Sequence, residues 1–262
     1  MEMTMIAPGV LGSQAHSLPV RQVSVEAPSL WLIAAWRDFR RAPFLSIGYG
    51  ALFVLAGYVI LLGLHNVGLA SLIPTAVAGF FLVAPILAVG LYEVSRRIET
   101  GDSPSFATSL SALGRNSGAL AAVGLVLTLF LAAWVQVALL IFMLFFHQQP
   151  PALDHFLTGI LTSPEAVPFL VVGTAVGYAI ASVVFAISAV SIPLLLDRNV
   201  PALVAIATSI AAVRANWLVM LGWAATIVVL VGAGIATFFI GLAVTVPLTA
   251  YATWHAYRTL VE

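Results

Sequence analysis

"WLVMLGWAATIVVLVGAGIATFFIGLAVTVPLTAYATWHAY" runs from Trp217 to Tyr257, 41 residues without an Asp, Glu, Lys or Arg. A helix needs roughly 20 apolar residues to cross about 30 Å of hydrocarbon, so the run is too long for one crossing and just long enough for two. Two crossings put both chain ends on one side of a membrane; one crossing separates them. Glycine reaches the backbone conformations of tight turns, which makes "GAG" at Gly232–Gly234 the expected turning point. The two spans are then expected at about 216–232 and 235–257.

Composition supports the membrane setting. The chain is 62% hydrophobic and 8% charged, against about 25% charged residues in soluble domains. Further uncharged runs mark spans at about 44–64, 72–94, 118–146 and 167–196. The third of these, at about 43 Å as a helix, must tilt or protrude. The period-two alternation of a membrane β-barrel does not appear. The fold class read from the chain is all-α, a polytopic bundle of six transmembrane helices arranged as three hairpins.

The arginines test that count, and there is no lysine. Arg21, Arg37, Arg40 and Arg41 precede the first span, and Arg96, Arg97 and Arg115 lie between the second and third. Arg198 and Arg214 separate the fourth and fifth, and Arg258 follows the sixth. With six spans all of them fall on one side, which the positive-inside rule makes the cytoplasm. Five spans would strand Arg258 outside. The expectation is a multi-pass protein of the bacterial inner membrane with both termini cytoplasmic. Residues 1–25, mixed and non-periodic, read as a disordered cytoplasmic tail, and residues 26–262 as the membrane domain.

A repeat runs beneath the spans. "ATSLSALGRN" (Ala107–Asn116) and "ATSIAAVRAN" (Ala207–Asn216) agree at five of ten positions. "PILAVGLYEVSRR" from Pro85 resembles "PLTAYATWHAYRT" from Pro247: each proline has an aromatic residue seven positions on and an arginine eleven on. The fourth span ends in a looser version, Pro193 then Arg198. The implied unit is a short amphipathic helix followed by two spans, used three times. In its first copy, "PSLWLIAAWRDFRRAP", prolines mark both boundaries. Trp31, Leu32, Ala35, Trp36 and Phe39 form the apolar face, and Arg37, Asp38, Arg40 and Arg41 fill the remainder. Such a helix is expected in the membrane interface, its arginines among lipid phosphates. Trp31, Trp36, Arg37, Arg40, Arg41, Arg96, Arg97, Arg115, Arg198, Arg214 and Arg258 are the expected interfacial and topology anchors.

Residues able to carry chemistry are few. Cysteine is absent, which removes disulfides, iron–sulfur clusters and thiolate catalysis. No histidine sits mid-membrane, so the chain is not a haem–copper catalytic subunit; His65 and His147, both at outer span ends, are the only pair at matching depth. In the outer loop His147, Asp154 and His155 lack metal-site spacing, while Leu153, Phe156, Leu157, Ile160 and Leu161 have the spacing of an amphipathic helix. Glu93 and Gln136 are the intramembrane polar candidates, Glu93 one turn from Arg96 and Arg97, Gln136 in the third span. Net charge is zero, which gives no attraction to nucleic acid. Phosphate loops, nucleophile elbows, zinc motifs and paired carboxylates are all missing. No catalytic residue, metal or cofactor is expected.

"WRDFRRAPFLSIGYG", "FLVAPILAVGLYEVSRRIETGDSPS", "PLLLDRNVPALVAIATSIAAVRANW" and "TAYATWHAYRTLV" together resemble the bacterial integral membrane family called domain of unknown function 2189, over roughly residues 28–260. The resemblance implies a multi-pass membrane protein and carries no functional residues with it; some members bear the label of cytochrome c oxidase proteins. The chain is expected to be a non-catalytic accessory, assembly or scaffolding subunit, contacting membrane lipids and other membrane subunits, with a respiratory oxidase as one candidate complex. The alternative is a small transporter or channel for a neutral or lipidic solute. It requires Gln136, Tyr49, Tyr58 and Tyr178 to line one cavity.

Overall fold

The computed structural model describes residues 17–147 and 156–262. Among these the chain is helical, joined at its ends by one isolated antiparallel bridge between Val20 and Val261. Prolines start the first two helices: α1 (Ala27–Arg41) and α2 (Pro43–Asn66) each carry one in the first turn, where its missing N–H costs no bond. A 3₁₀ turn at Ala70–Leu72 leads into α3 (Ile73–Leu87). Pro85 lies inside α3, and the helix breaks at Ala88 before continuing as α4 (Val89–Thr100). A capping box between Ser105 and Thr108 opens α5 (Phe106–Ser111). The long α6 (Ser117–Phe146) follows, then α7 (Phe156–Leu161) and α8 (Ala166–Ser188). A second break precedes α9 (Ser191–Asp197), which holds Pro193. The chain ends with α10 (Ala202–Ala215), α11 (Trp217–Ala236) and α12 (Leu242–Leu260).

Five stretches are long and apolar enough to cross a membrane: Pro43–Asn66, Ala70–Leu87, Ser117–Phe146, Ala166–Asp197 and Trp217–Ala236. The chain is therefore a multi-pass α-helical membrane protein. The sixth expected span coincides with α12, which falls outside that set because Trp254, His255, Tyr257 and Arg258 lie in its second half.

The turn before α12 differs from the expectation. Gly232 and Gly234 lie inside α11, and the chain reverses at residues 237–241. Phe238 and Phe239 adopt positive φ (54° and 66°) there. Thr237 Oγ1 accepts from the N–H of Gly241 at 2.9 Å, and the Tyr58 hydroxyl donates to the Phe238 carbonyl at 2.8 Å. Gly234 serves a different purpose. A Cβ on it would stand 2.7 Å from Leu242 Cδ2 and 2.6 Å from Thr245 Oγ1. Its missing side chain lets α12 close on α11, so Gly234 packs the hairpin and hydrogen bonds shape its turn.

Helix α12 is the hub, packing against α1, α2, α11 and α4, while α3 lies on α6 and α6 on α8. The densest packing is at one end. Leu91 and Val94 of α4, Ile192 and Leu194 of α9, and Tyr251 and Trp254 of α12 are all fully buried there. Elsewhere the long helices turn apolar side chains outward, among them Leu52, Leu55, Leu125, Leu129, Val228 and Val229. In water such a surface would drive aggregation; against lipid tails it is the matching surface.

Residues 17–25 do not behave as the expected tail. The Arg21 N–H donates to the Leu260 carbonyl at 2.9 Å and the Glu262 N–H to the Pro19 carbonyl at 3.2 Å. The two ends of the described chain are thus paired on one face of the bundle.

Candidate functional site: a polar lock at one end of the bundle

Glu93 sits in α4, beyond the break that ends the second apolar stretch at Leu87. It is 2% exposed, a costly place for a carboxylate unless paired and hydrogen-bonded. Arg96 meets it twice, Nε to Oε2 at 2.7 Å and Nη2 to Oε1 at 2.8 Å. Arg97 Nε reaches Oε1 at 2.8 Å, and Arg115 Nη1 reaches Oε2 at 3.3 Å. Burial pushes the Glu93 pKa up, but these guanidinium contacts outweigh it and hold the carboxyl below its ordinary range. Two of the three arginines were visible one turn away in the sequence. Arg115, from the segment before α6, becomes a partner only on folding.

Asp38 is the residue that sequence reasoning missed. Its neighbours Arg37, Arg40 and Arg41 suggested an exposed polar stripe, yet Asp38 is 4% exposed. Its Oδ2 accepts from His255 Nε2 of α12 at 2.8 Å and from the Ser95 hydroxyl of α4. These are the residue types of a nucleophilic triad in a different arrangement. In a working triad the carboxylate holds Nδ1 and leaves Nε2 for serine. Here Asp38 occupies Nε2 itself, and Ser95 Oγ, 3.5 Å from that nitrogen, donates its proton to the same carboxylate. The arrangement clamps α1, α4 and α12 together.

A third knot lies alongside. Glu99 accepts from Trp254 Nε1 at 2.9 Å and from Arg258 Nε at 3.0 Å, while Asp197 accepts from the Tyr257 hydroxyl at 2.6 Å and from Arg258 Nη1 at 3.3 Å. Arg21 pairs with Glu262 at 3.6 Å across the two ends of the chain.

Two asparagines that end the matching ten-residue segments perform matching tasks. Asn116 Nδ2 donates to the Val200 carbonyl at 2.9 Å, in the link before α10. Asn216 Nδ2 donates to the Arg21 carbonyl and its Oδ1 accepts from the Val23 N–H, both at 2.9 Å, in the link before α1. Ala42 occupies the corresponding place before α2. Counting back seven residues from each gives Ala35, Ser109 and Ser209, all 0% exposed; counting back four gives Asp38, Ala112 and Ala212, all buried. Asn216→Ala removes two bonds to the N-terminal link and is expected to cost about 1–3 kcal/mol. Limited proteolysis should then cut near residues 17–25 faster than in wild type, with the rest of the chain protected.

The expected anchors divide. Trp31 is 2% exposed, crosses Trp223 edge-on at 5.7 Å and donates from Nε1 to Thr259 at 2.9 Å. The face that α1 buries is therefore a protein contact with α12 and α11, in place of the lipid contact expected for it. Trp36 remains 46% exposed, stacked on Phe39. Arg37, Arg40, Arg41 and Arg214 are exposed, and among the described residues none of them forms an ion pair. Arg198 adjoins Asp197 at the end of α9.

The residues of the transport alternative do not converge. Gln136 is exposed on α6 and Tyr178 is 63% exposed on α8. Tyr58 is spent on the turn beside Phe238, and Tyr49 is buried against Phe106 at 5.0 Å. Asp154, His155 and Leu153 lie outside the described residues; His147 is exposed at the end of α6. Among the described residues no three of His, Cys, Asp or Glu come together as metal ligands.

Fold and site define a polytopic integral membrane protein whose buried carboxylates, Asp38 and Glu93, lie at one end and are paired within the chain. Residues 72–197 match the model of the family described as "Predicted integral membrane protein (DUF2189)", the family named from the sequence. No curated protein and no solved structure matches the chain.

Proposed function

We propose that the chain is a non-catalytic accessory, assembly or scaffolding subunit of a bacterial inner-membrane complex, with a respiratory oxidase as one candidate. The carrying observation is a division of labour along the helices. Buried Asp38 is consumed in locking α1, α4 and α12 at one end, and buried Glu93 in holding Arg96, Arg97 and Arg115. Away from it the spans are thinly packed, with only 11% of the most apolar window of α6 and 17% of that of α2 buried inside the chain. A rigid base carrying apolar helix faces suits lateral contact with lipids and other subunits. Purification in mild detergent should recover a membrane partner. A clean monomer under conditions that preserve other inner-membrane complexes would overturn the reading.

The same reading makes α12 a sixth span and the chain three hairpins. Its 19 residues reach about 28 Å, and its polar second half faces α1 and α4. Three times a short helix precedes a long one and a second crossing: α1 before α2, α5 before α6 and α10 before α11. The shared burial pattern and the paired asparagines support an internal repeat. The arginines then face the cytoplasm, with Arg37, Arg40 and Arg41 free for lipid phosphates. A reporter fused at Glu262 should read cytoplasmic, like one fused before Ser17; a periplasmic reading would leave five spans.

A further inference from the structure

An open-sided groove of about 340 Å³ lies between the N-terminal link, α1 and α12. Such a volume lies within the usual range for small-molecule sites. Its walls are mostly apolar on one side, from Val23, Ala27, Leu30, Trp31 and Ala34 with the polar Ser24 among them, and carry His255 and Thr259 on the other. Leu30 is 59% exposed, which leaves the mouth apolar. His255 is the group able to recognise a ligand. Asp38, buried and fixed in turn by Ser95, holds its Nε2 and sets the ring's orientation. Among the described residues its Nδ1 makes no hydrogen bond, and the atom is not fully buried, which leaves it open to an incoming molecule. With Nε2–H committed to Asp38, a neutral ring offers the Nδ1 lone pair to a hydroxyl; a protonated ring offers N–H to a carbonyl oxygen. Thr259 Oγ1 already accepts from Trp31 Nε1, which stiffens the neighbouring wall.

We infer that this groove is a binding site for a small amphiphile, an apolar body carrying one hydroxyl or carbonyl oxygen that bonds to His255 Nδ1. A positioned, carboxylate-backed imidazole at the head of a mostly apolar groove fits that chemistry better than a charged solute, for which the walls supply no counter-ion. Of the charged groups nearby, Glu99 and Asp197 hold Arg258 and Arg21 pairs with Glu262, while Glu26 is exposed and has no ion pair among the described residues. The site is independent of the accessory-subunit reading.

The probes are 4-propylphenol and propylbenzene, which share a body and differ in the oxygen. Binding to the full chain in detergent is followed by saturation-transfer NMR and by the ¹⁵N resonances of His255. The phenol should shift the His255 resonances saturably, and propylbenzene should bind at least tenfold more weakly. Ala34→Trp fills the groove from its α1 wall, and should weaken phenol binding at least tenfold while thermal unfolding in detergent still shows one cooperative transition. His255→Gln keeps a donor for Asp38 so that the fold survives, and should weaken the phenol at least tenfold and propylbenzene little. Equal binding of both probes, or phenol binding unchanged in Ala34→Trp or His255→Gln, would mean partition into the micelle and would overturn the proposal.

Discussion

Glu93→Ala is expected to lower stability by about 3 kcal/mol, near the lower end for removing one partner from a buried ion cluster. The carboxylate is buried and its partners Arg96, Arg97 and Arg115 are 16%, 24% and 44% exposed. Once it is gone the arginines recover some hydration, which keeps the loss from reaching the upper end. Glu93→Gln retains one acceptor and should cost less. The sign of the pH dependence follows from the depressed carboxyl pKa. The cluster's stabilisation is fully present above the ordinary glutamate value of about 4.3 and is lost as pH falls through the lower folded value. Thermal unfolding in detergent should show wild type and Glu93→Gln converging below about pH 4. A gap that stayed constant into that range would mean that Glu93 contributes by packing alone.

Gly50→Ala is expected to be at least as damaging, for a steric reason. A Cβ at this position of α2 would overlap the Ala243 carbonyl oxygen and stand 2.5 Å from its carbonyl carbon and Cα. These are backbone atoms of α12, so no rotamer change relieves the overlap. The helices must separate, and α12 is the hub on which α1, α4 and α11 rest. A loss above about 3 kcal/mol is expected, beyond the usual range for overpacking. Gly63→Ala in the same helix is the control. Nothing lies within 4 Å of its added methyl, and alanine's helix preference should make it neutral or stabilising by about 0.5–1 kcal/mol. Equal Tm values for the two variants in detergent would refute the close-crossing account.

Both predictions rest on contacts between segments far apart in the chain, and that marks the boundary of sequence reasoning here. Helix positions and the membrane setting were legible because they depend on local quantities. Apolar runs of sufficient length and the prolines at Pro28 and Pro43 all act within a turn or two of themselves, whereas the spans read as continuous through Pro85 and Pro193 are each broken in the structure. Glu93 with Arg96 and Arg97 was legible for the same reason, since helix geometry alone brings residues three and four apart together.

Asp38 could not be read this way. Its three neighbouring arginines made it look solvated, and its partners Ser95 and His255 lie 57 and 217 residues away. Trp31 looked like a lipid anchor because an apolar helix face has the same pattern whether lipid or protein covers it. The turn before α12 was misplaced because glycine signals permission for two things, a reversal or a close helix approach, and only the neighbour decides which. By itself the sequence determined the class of the protein, the order of its helices and the clustering of its arginines, all consequences of local hydropathy and charge. The tertiary structure decided which polar groups are buried and which helix is the hub. It also opened a groove beside His255, because desolvation and pairing depend on what the rest of the chain brings alongside.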